Sequence, residues 1–237
     1  MSAFRWDGDH LGIDLPGAHV VFTSRRGGVS TGPYTSLNLG PWTDDDPAAV
    51  VENQRRVAER AGRPVALGRQ VHETRVRRID DEPGTIEEAD GQATARDDVA
   101  PLVLVADCLP IALAGRRAVA MLHGGWRGLA GGIAAEGVRA VRELGDDGPL
   151  AAAIGPGAGP CCYETGDEVR AAFAPEHARG RNLDLKGAAA AALRDAGVEP
   201  VHDAEFCTLC GDPELWFSHR RDGGVTGRQA GVAWRIA

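Results

Sequence analysis

Residues 101–128, PLVLVADCLPIALAGRRAVAMLHGGWRG, constrain the fold more than any other stretch. Two apolar runs flank the short turn Ala114–Gly115–Arg116–Arg117, the pattern of a β-hairpin. With a two-residue loop at Gly115–Arg116, Ala114 opposes Arg117 and Cys108 opposes His123. Directly opposed residues of an antiparallel pair have Cβ atoms about 4.5–5.5 Å apart. That spacing suits two ligands of one metal, or a thiol beside its base. Pro110 weighs against so simple a ladder, because proline donates no N–H. The first strand is expected to be an edge, or to be bulged or broken there.

The flanking sequence alternates strand and helix signals without the regular spacing of a doubly wound sheet. Ala18–Ser24 reads as a strand, followed by the 16-residue loop RRGGVSTGPYTSLNLG. Asp46 and Pro47 mark a helix start and Gly62 its end, with Val50, Val51, Val57 and Ala61 as the buried stripe. Val65–Val71 and Thr74–Ile79 have strand composition, with His72 at their junction. Residues 80–98 are polar and acidic and read as a loop or mobile flap. A glycine-rich helix follows the hairpin, with Leu129, Ile133, Val138, Val141 and Leu144 at near-helical spacing. A strand at Leu150–Ile154, a helical turn or two from Asp167, a helix over 186–196, and strands at Leu215–Ser218 and Gly231–Ile236 complete the reading. The expected fold class is α+β: one domain, residues 1–237, of layered mixed β-sheets flanked by helices.

Net charge decides which partners to expect. At −8 over 237 residues, the surface argues against nucleic acid and against anionic membranes. No apolar run nears the ~18 residues that span a bilayer. The start, MSAFRWDGDHLG, has no export pattern, so a cytoplasmic protein, monomeric and with reduced thiols, is expected.

His72, Cys108 and His123 are the leading chemical candidates. Each follows a β-type run (Gln-Val-His, Val-Ala-Asp-Cys, Met-Leu-His), so all three can emerge at one end of a sheet. Two imidazoles and a thiolate suit zinc, and three protein ligands leave a fourth position open. Copper outranks zinc in intrinsic affinity and would load such a site adventitiously. None of the seven histidines forms the His-x-His pairs of a multicopper oxidase. A Cys108 nucleophile with His123 as base is the competing reading. Cys207-x-x-Cys210 looks like half of a zinc ribbon, but Cys161–Cys162 is vicinal and cannot mimic the missing half. Those thiols are therefore read as ordinary, and His219 receives no role. Arg25 and Arg127 stand out among the cations because each sits in a Gly-rich motif near a strand end.

Taken together, TSRRGGVSTGPYTSLNLG, QVH, ADCLPI, HGGWRG, IGPGAGPCCYE, LDLK and FSHRRDGGVTGRQAG are similar to the motifs of one bacterial family, in its order. The chain resembles the laccase-domain family, also called polyphenol oxidase, which includes the peptidoglycan editing factor. The resemblance spans about Arg25 to Trp234. It implies a zinc centre built from His72, Cys108 and His123. It also implies purine nucleoside chemistry: phosphorolysis of adenosine, inosine, guanosine or methylthioadenosine, and deamination of adenosine. Arg25 with Asn38 would position phosphate; Gln70, Arg127 and Cys162 are further substrate-binding candidates by motif position. Asp107 and Glu73 are the acid–base candidates. Glu73 stands where the family usually has glycine, and His219 where it usually has tyrosine. Two alternatives remain open: hydrolysis of wrongly serine-containing muropeptide precursors with Cys108 as nucleophile, and a non-enzymatic cell-wall or division factor.

Overall fold

The computed structural model describes residues 3–80 and 86–236. Its elements run β1 (Arg5–Asp7), β2 (His10–Leu15), β3 (Ala18–Phe22), α1 (Pro47–Ala61), β4 (Val65–Leu67), β5 (Val76–Arg78), β6 (Gly91–Thr94), β7 (Ala100–Val105), β8 (Leu109–Ala114), β9 (Val119–Gly124), α2 (Trp126–Ala130), α3 (Ile133–Glu143), β10 (Ala151–Ile154), α4 (Asp167–Arg170), β11 (Ala178–Arg179), β12 (Asn182–Leu183), α5 (Leu185–Asp195), β13 (Val201–Asp203) and β14 (Gln229–Arg235). Two six-stranded sheets form, ordered β1-β2-β3-β14-β7-β4 and β13-β10-β8-β9-β6-β5. Both are mixed: β4–β7, β5–β6 and β10–β13 are parallel, and the other pairs antiparallel. The α+β expectation holds.

The layering follows from side-chain alternation. Leu109, Ile111, Leu113, Ala120 and Leu122 point from the second sheet into a core shared with Ile133, Val141, Leu185 and Leu193 of the helices. Ala112, Ala114, Val119, Met121, Ala151 and Ala153 point the other way and meet Leu11, Ile13, Val20, Phe22 and Val103 of the first sheet. The first sheet's outer face packs Ala100, Leu102, Leu104 and Val232 against Val57 and Ala61 of α1. β7, β8 and β9 are thus covered on both faces and buried at every residue, which is why they read as continuous apolar runs. The inter-sheet layer is rich in alanine because the second sheet comes close to the bulky residues of the first.

Gly231 shows how close. A Cβ there would lie 2.4 Å from Met121 Cε and 2.8 Å from Pro110 Cβ. The methionine can swing away, whereas the proline ring, in a strand of the facing sheet, cannot.

Several local expectations change. β8 and β9 pair as Ala114↔Val119, Leu113↔Ala120 and Pro110↔His123, so the register is two residues away from the one that put Cys108 opposite His123. The connection is longer than two residues because Asp146 Oδ2 accepts from the N–H groups of Arg117 (2.5 Å) and Ala118 (3.0 Å), organising the turn. β8 is central in its sheet, not an edge. Pro110 is tolerated because its carbonyl accepts from Gly155 N–H (2.9 Å), one residue past the end of β10. The N–H that it lacks therefore falls where that ladder stops. Residues 80–98 are not one flap: β6 is a fully buried strand paired with β9. Its GQAT sequence lacks the β-branched run that would have marked it; part of the expected flap, residues 81–85, lies outside the described residues. Leu215–Ser218 is not a strand, although Trp216 and Phe217 are fully buried. In α1, capped by Asp46 and ended by Gly62 in the left-handed region (φ 68°), Val51 faces solvent and Asn53 is buried. Asn53 donates to the carbonyl of Asn38 and the hydroxyl of Ser30, tying the helix to the long loop. The expected single helix after β9 is broken at Gly131–Gly132, where Gly132 takes φ 96°.

Gly231→Ala is expected to lower stability by about 1–3 kcal/mol through overpacking of the two sheets. Urea unfolding measures it, and an unchanged midpoint would mean that the sheets separate more easily than their packing implies.

Candidate metal centre

The chain passes from one sheet to the other at Ala106–Asp107–Cys108, between the end of β7 and the start of β8. Asp107 makes the crossing in the left-handed region, at φ 87°. Both of its carboxylate oxygens are committed: Oδ1 accepts from Thr208 Oγ1 (2.7 Å) and Oδ2 from Arg220 N–H (2.8 Å). Held in this way, the crossing sets Cys108 at the margin of the sheet pair. His123, near the end of β9, and His72, in the loop after β4, converge on it. One ring nitrogen from each histidine and Cys108 Sγ all lie within 4.8 Å of one another, and the imidazole centroids are 4.8 Å apart.

Asp90 holds this group from behind. Its carboxylate, fully buried, accepts from His123 Nδ1 (2.7 Å) and from three successive backbone N–H groups, those of Val71 (3.0 Å), His72 (2.9 Å) and Glu73 (2.9 Å). Successive N–H groups aimed at one anion form a backbone nest, and it holds His72 at φ 63°, a costly conformation for a residue with a Cβ. Burial alone would raise the Asp90 carboxyl, but His123 and the N–H groups of Glu73 and Val71 keep it below the usual carboxylate range. The bond to Nδ1 turns Nε2 of His123 outward as the free coordinating atom, the arrangement of metal-ligating histidines. Gly125 completes the fit: a Cβ there would lie 3.0 Å from His72 Cδ2 and 3.4 Å from Cys108 Sγ.

The electrostatics agree with a thiolate among imidazoles. Burial would push the Cys108 thiol up, yet His123 and His72 bring it down to about 6. Desolvation would lower His123, but the charges of Cys108 and Asp90 lift it to about 9. Two imidazoles, one thiolate and a carboxylate behind one imidazole make a donor set that fits a zinc-type ion. A lone nucleophile–base pair would need only one of the imidazoles.

Above the trio lies a cavity of about 280 Å³, lined also by Trp42, Gln70, Leu104, His219 and Arg228. Trp42 is half exposed at 54%. Arg228 donates through Nη1 to the carbonyls of Thr226 and Gly227; no hydrogen bond takes its Nε or Nη2 among the described residues. Desolvation lowers its pKa, opposed by the charges of Cys108 and Asp107, which places a cation close to the thiolate.

Of the residues singled out from sequence, His72, Cys108 and His123 come together, and Gln70 joins them in the cavity wall. Gln70 is clamped to Leu104, donating from Nε2 to its carbonyl (2.7 Å) and accepting its N–H at Oε1 (2.8 Å). The others lie elsewhere. Arg25 donates to the carbonyls of Thr35 and Pro213 and stacks on Phe217. Asn38 orders the loop to Asp45 and accepts from Arg228 N–H. Arg127 stacks on Trp126. The Asp107 carboxylate is sequestered as described, and Glu73 is exposed and outside the cavity lining. Cys162 belongs to a group of four cysteines with Cys161, Cys207 and Cys210, so the vicinal pair does complement the C-x-x-C pair after all. Sequence reasoning missed Asp90, hidden in the acidic run Glu87–Asp90, and Arg228, for which the glycine before it in TGRQ was the available signal.

Residues 19–236 match the family model described as multi-copper polyphenol oxidoreductase laccase. The chain is 40% identical to a Pseudomonas aeruginosa protein named purine nucleoside phosphorylase, over 90% of this chain and 91% of that one. It is 34% identical to the purine nucleoside phosphorylase YfiH of Escherichia coli, over 93% of this chain and 95% of that one. The crystal structure of YlmD from Geobacillus stearothermophilus superposes with a TM-score of 0.89 at 33% identity, covering 100% of both chains.

Asp90→Asn, which cannot accept from all four donors at once, is expected to weaken divalent-metal binding about 10–100-fold. Competition with a chromophoric chelator measures the change. Unchanged affinity would mean that the nest does not orient the ligands.

Proposed function

This chain belongs to the multi-copper polyphenol oxidoreductase laccase family, and from that premise we propose that it is a zinc-dependent purine nucleoside phosphorylase with His72, Cys108 and His123 as ligands. The observation that carries the reading is the cavity over the trio: it combines a cation, Arg228, an exposed aromatic face, Trp42, and a further imidazole, His219. A phosphate, a purine and a leaving group in need of a proton require those three groups. The relatives' names point the same way.

In phosphorolysis a phosphate oxygen bonds to C1′ of the ribose while the C1′–N9 bond breaks. The purine leaves with the bonding electrons and takes up a proton. Arg228 binds and orients the phosphate, with the geometric advantage of a planar guanidinium. Trp42 stacks on the base. His219 donates the proton; apart from the two histidine ligands it is the one imidazole in the cavity lining among the described residues. Gln70, pinned to Leu104, keeps that wall fixed. Held by His72, Cys108 and His123, zinc would supply Lewis-acid polarisation of a substrate oxygen.

Deamination of adenosine is the other nucleoside reaction considered. Zinc deaminases use a carboxylate as general acid and base, and no Asp or Glu lines the cavity among the described residues. The cavity therefore favours phosphorolysis. Copper oxidase chemistry finds no support in the donors, since none of the seven histidines stands in a His-x-His pair.

Inosine or adenosine with inorganic phosphate should yield free base and ribose 1-phosphate, followed by chromatography. His219→Phe is expected to lower kcat by about 10²–10⁴-fold with metal content unchanged, and Arg228→Gln to raise KM for phosphate about tenfold or more. Base release without phosphate consumption, or turnover of a serine-containing muropeptide by metal-stripped protein, would overturn the reading in favour of hydrolysis.

A further inference from the structure

We infer that Cys161, Cys162, Cys207 and Cys210 form a second metal site, a closed tetrathiolate centre for zinc, apart from the His72–Cys108–His123 site. The four Sγ atoms lie within 4.8 Å of one another, and Cys161 Sγ is 3.4 Å from Cys210 Sγ. Sulfurs bonded at about 2.3 Å to a tetrahedral zinc are about 3.8 Å apart, so the four thiols are already gathered to nearly that scale. None is in a disulfide.

Two loops build the cluster, and their backbones are matched to it. Gly159 N–H donates to Cys207 Sγ (3.2 Å), tying the first sulfur of Cys207-x-x-Cys210 to the opposite loop. The opposite loop, Gly157–Tyr163, is docked by the bridge between Gly157 and Cys207, with Thr208 N–H donating to Gly157 O (3.0 Å). It then turns at Gly159, whose carbonyl accepts the N–H of Cys162 (3.1 Å) and of Tyr163 (3.0 Å). A Cβ on Gly159 would lie 3.1 Å from Cys207 Cβ and 3.3 Å from Cys161 Sγ. Glycine is therefore what lets the two cysteine pairs close on one point.

The ligand count assigns the role. Three ligands with an open position make a reactive site; four close the coordination sphere and leave a structural one. Its place in the fold fits. Thr208, between the two cysteines of the C-x-x-C pair, is the residue that holds Asp107 at the sheet crossing, and its carbonyl accepts from Arg221 Nη1 (2.9 Å). The centre would thus brace the wall behind Cys108 without contributing to the cavity. Hard cations are excluded by the all-sulfur donor set; among the metals that favour such a set, zinc needs no inorganic sulfide and no redox partner.

Metal content decides the assignment. Protein loaded with zinc and freed of excess by gel filtration should carry two equivalents per chain, falling to one in Cys207→Ser/Cys210→Ser and to one in His72→Ala/His123→Ala. Thiol titration of the native wild type should find these cysteines protected, and a chelator should release them. One equivalent in the wild type that is lost with the histidines would overturn the second site while leaving the first intact. A mass two units low for each of one or two disulfides, or iron with acid-labile sulfide, would overturn it as well. If the double cysteine variant does not fold, cobalt(II) loading of the His72→Ala/His123→Ala protein decides: intense sulfur-to-cobalt charge transfer and tetrahedral d–d bands are expected, and their absence refutes the site.

Discussion

One carboxylate organises the centre. Asp90 is buried, and it accepts from three consecutive backbone N–H groups and from His123. Hydrogen bonds to a charged acceptor contribute roughly 1.5–3 kcal/mol each, against about 1–3 kcal/mol for a left-handed conformation such as that of His72. The nest therefore outweighs the strain that it imposes. It also joins segments distant in sequence, the loop after β4 and the end of β9, and without it neither histidine has a reason to face Cys108.

The second requirement is the passage between the sheets. Because β7 belongs to one sheet and β8 to the other, the residues linking them must sit at the margin of the sandwich, where a cavity can open. Asp107 bears that turn, pinned by Thr208 and Arg220. Two aspartates thus hold left-handed backbone at the site: Asp90 by accepting from the segment around His72, and Asp107 by being the left-handed residue before Cys108, with its own carboxylate held by Thr208 and Arg220.

How much of this was legible depended on what kind of physics each feature rests on. The α+β class, α1 with its caps, and the clustering trio His72, Cys108 and His123 are visible because periodicity, N-cap chemistry and ligand type are local properties. Cys108 and His123 were brought together on the wrong register, since the turn length depends on Asp146, about 30 residues away. The error was two residues, so every side chain kept its face and the convergence survived. Asp90 and β6 were lost because an acidic run and a short strand of small residues look solvated until the neighbours that bury them are known. Loop composition singles out Arg25 and passes over Arg228, whereas the distinction lies in what each guanidinium meets: two carbonyls and a phenyl ring for Arg25, a cavity for Arg228. The four cysteines failed as a sequence pattern because a ribbon was sought, and no spacing rule anticipates a vicinal pair docked against a C-x-x-C turn.

An anomalous difference map collected on both sides of the zinc absorption edge tests the central claim most directly. The account predicts a peak bonded to one nitrogen each of His72 and His123 and to Cys108 Sγ, at about 2.0–2.3 Å, with Asp90 still bonded to Nδ1 of His123 and the fourth position facing the cavity. Zinc-loaded crystals with no peak there, or a covalent adduct on Cys108 after a muropeptide soak, would contradict it.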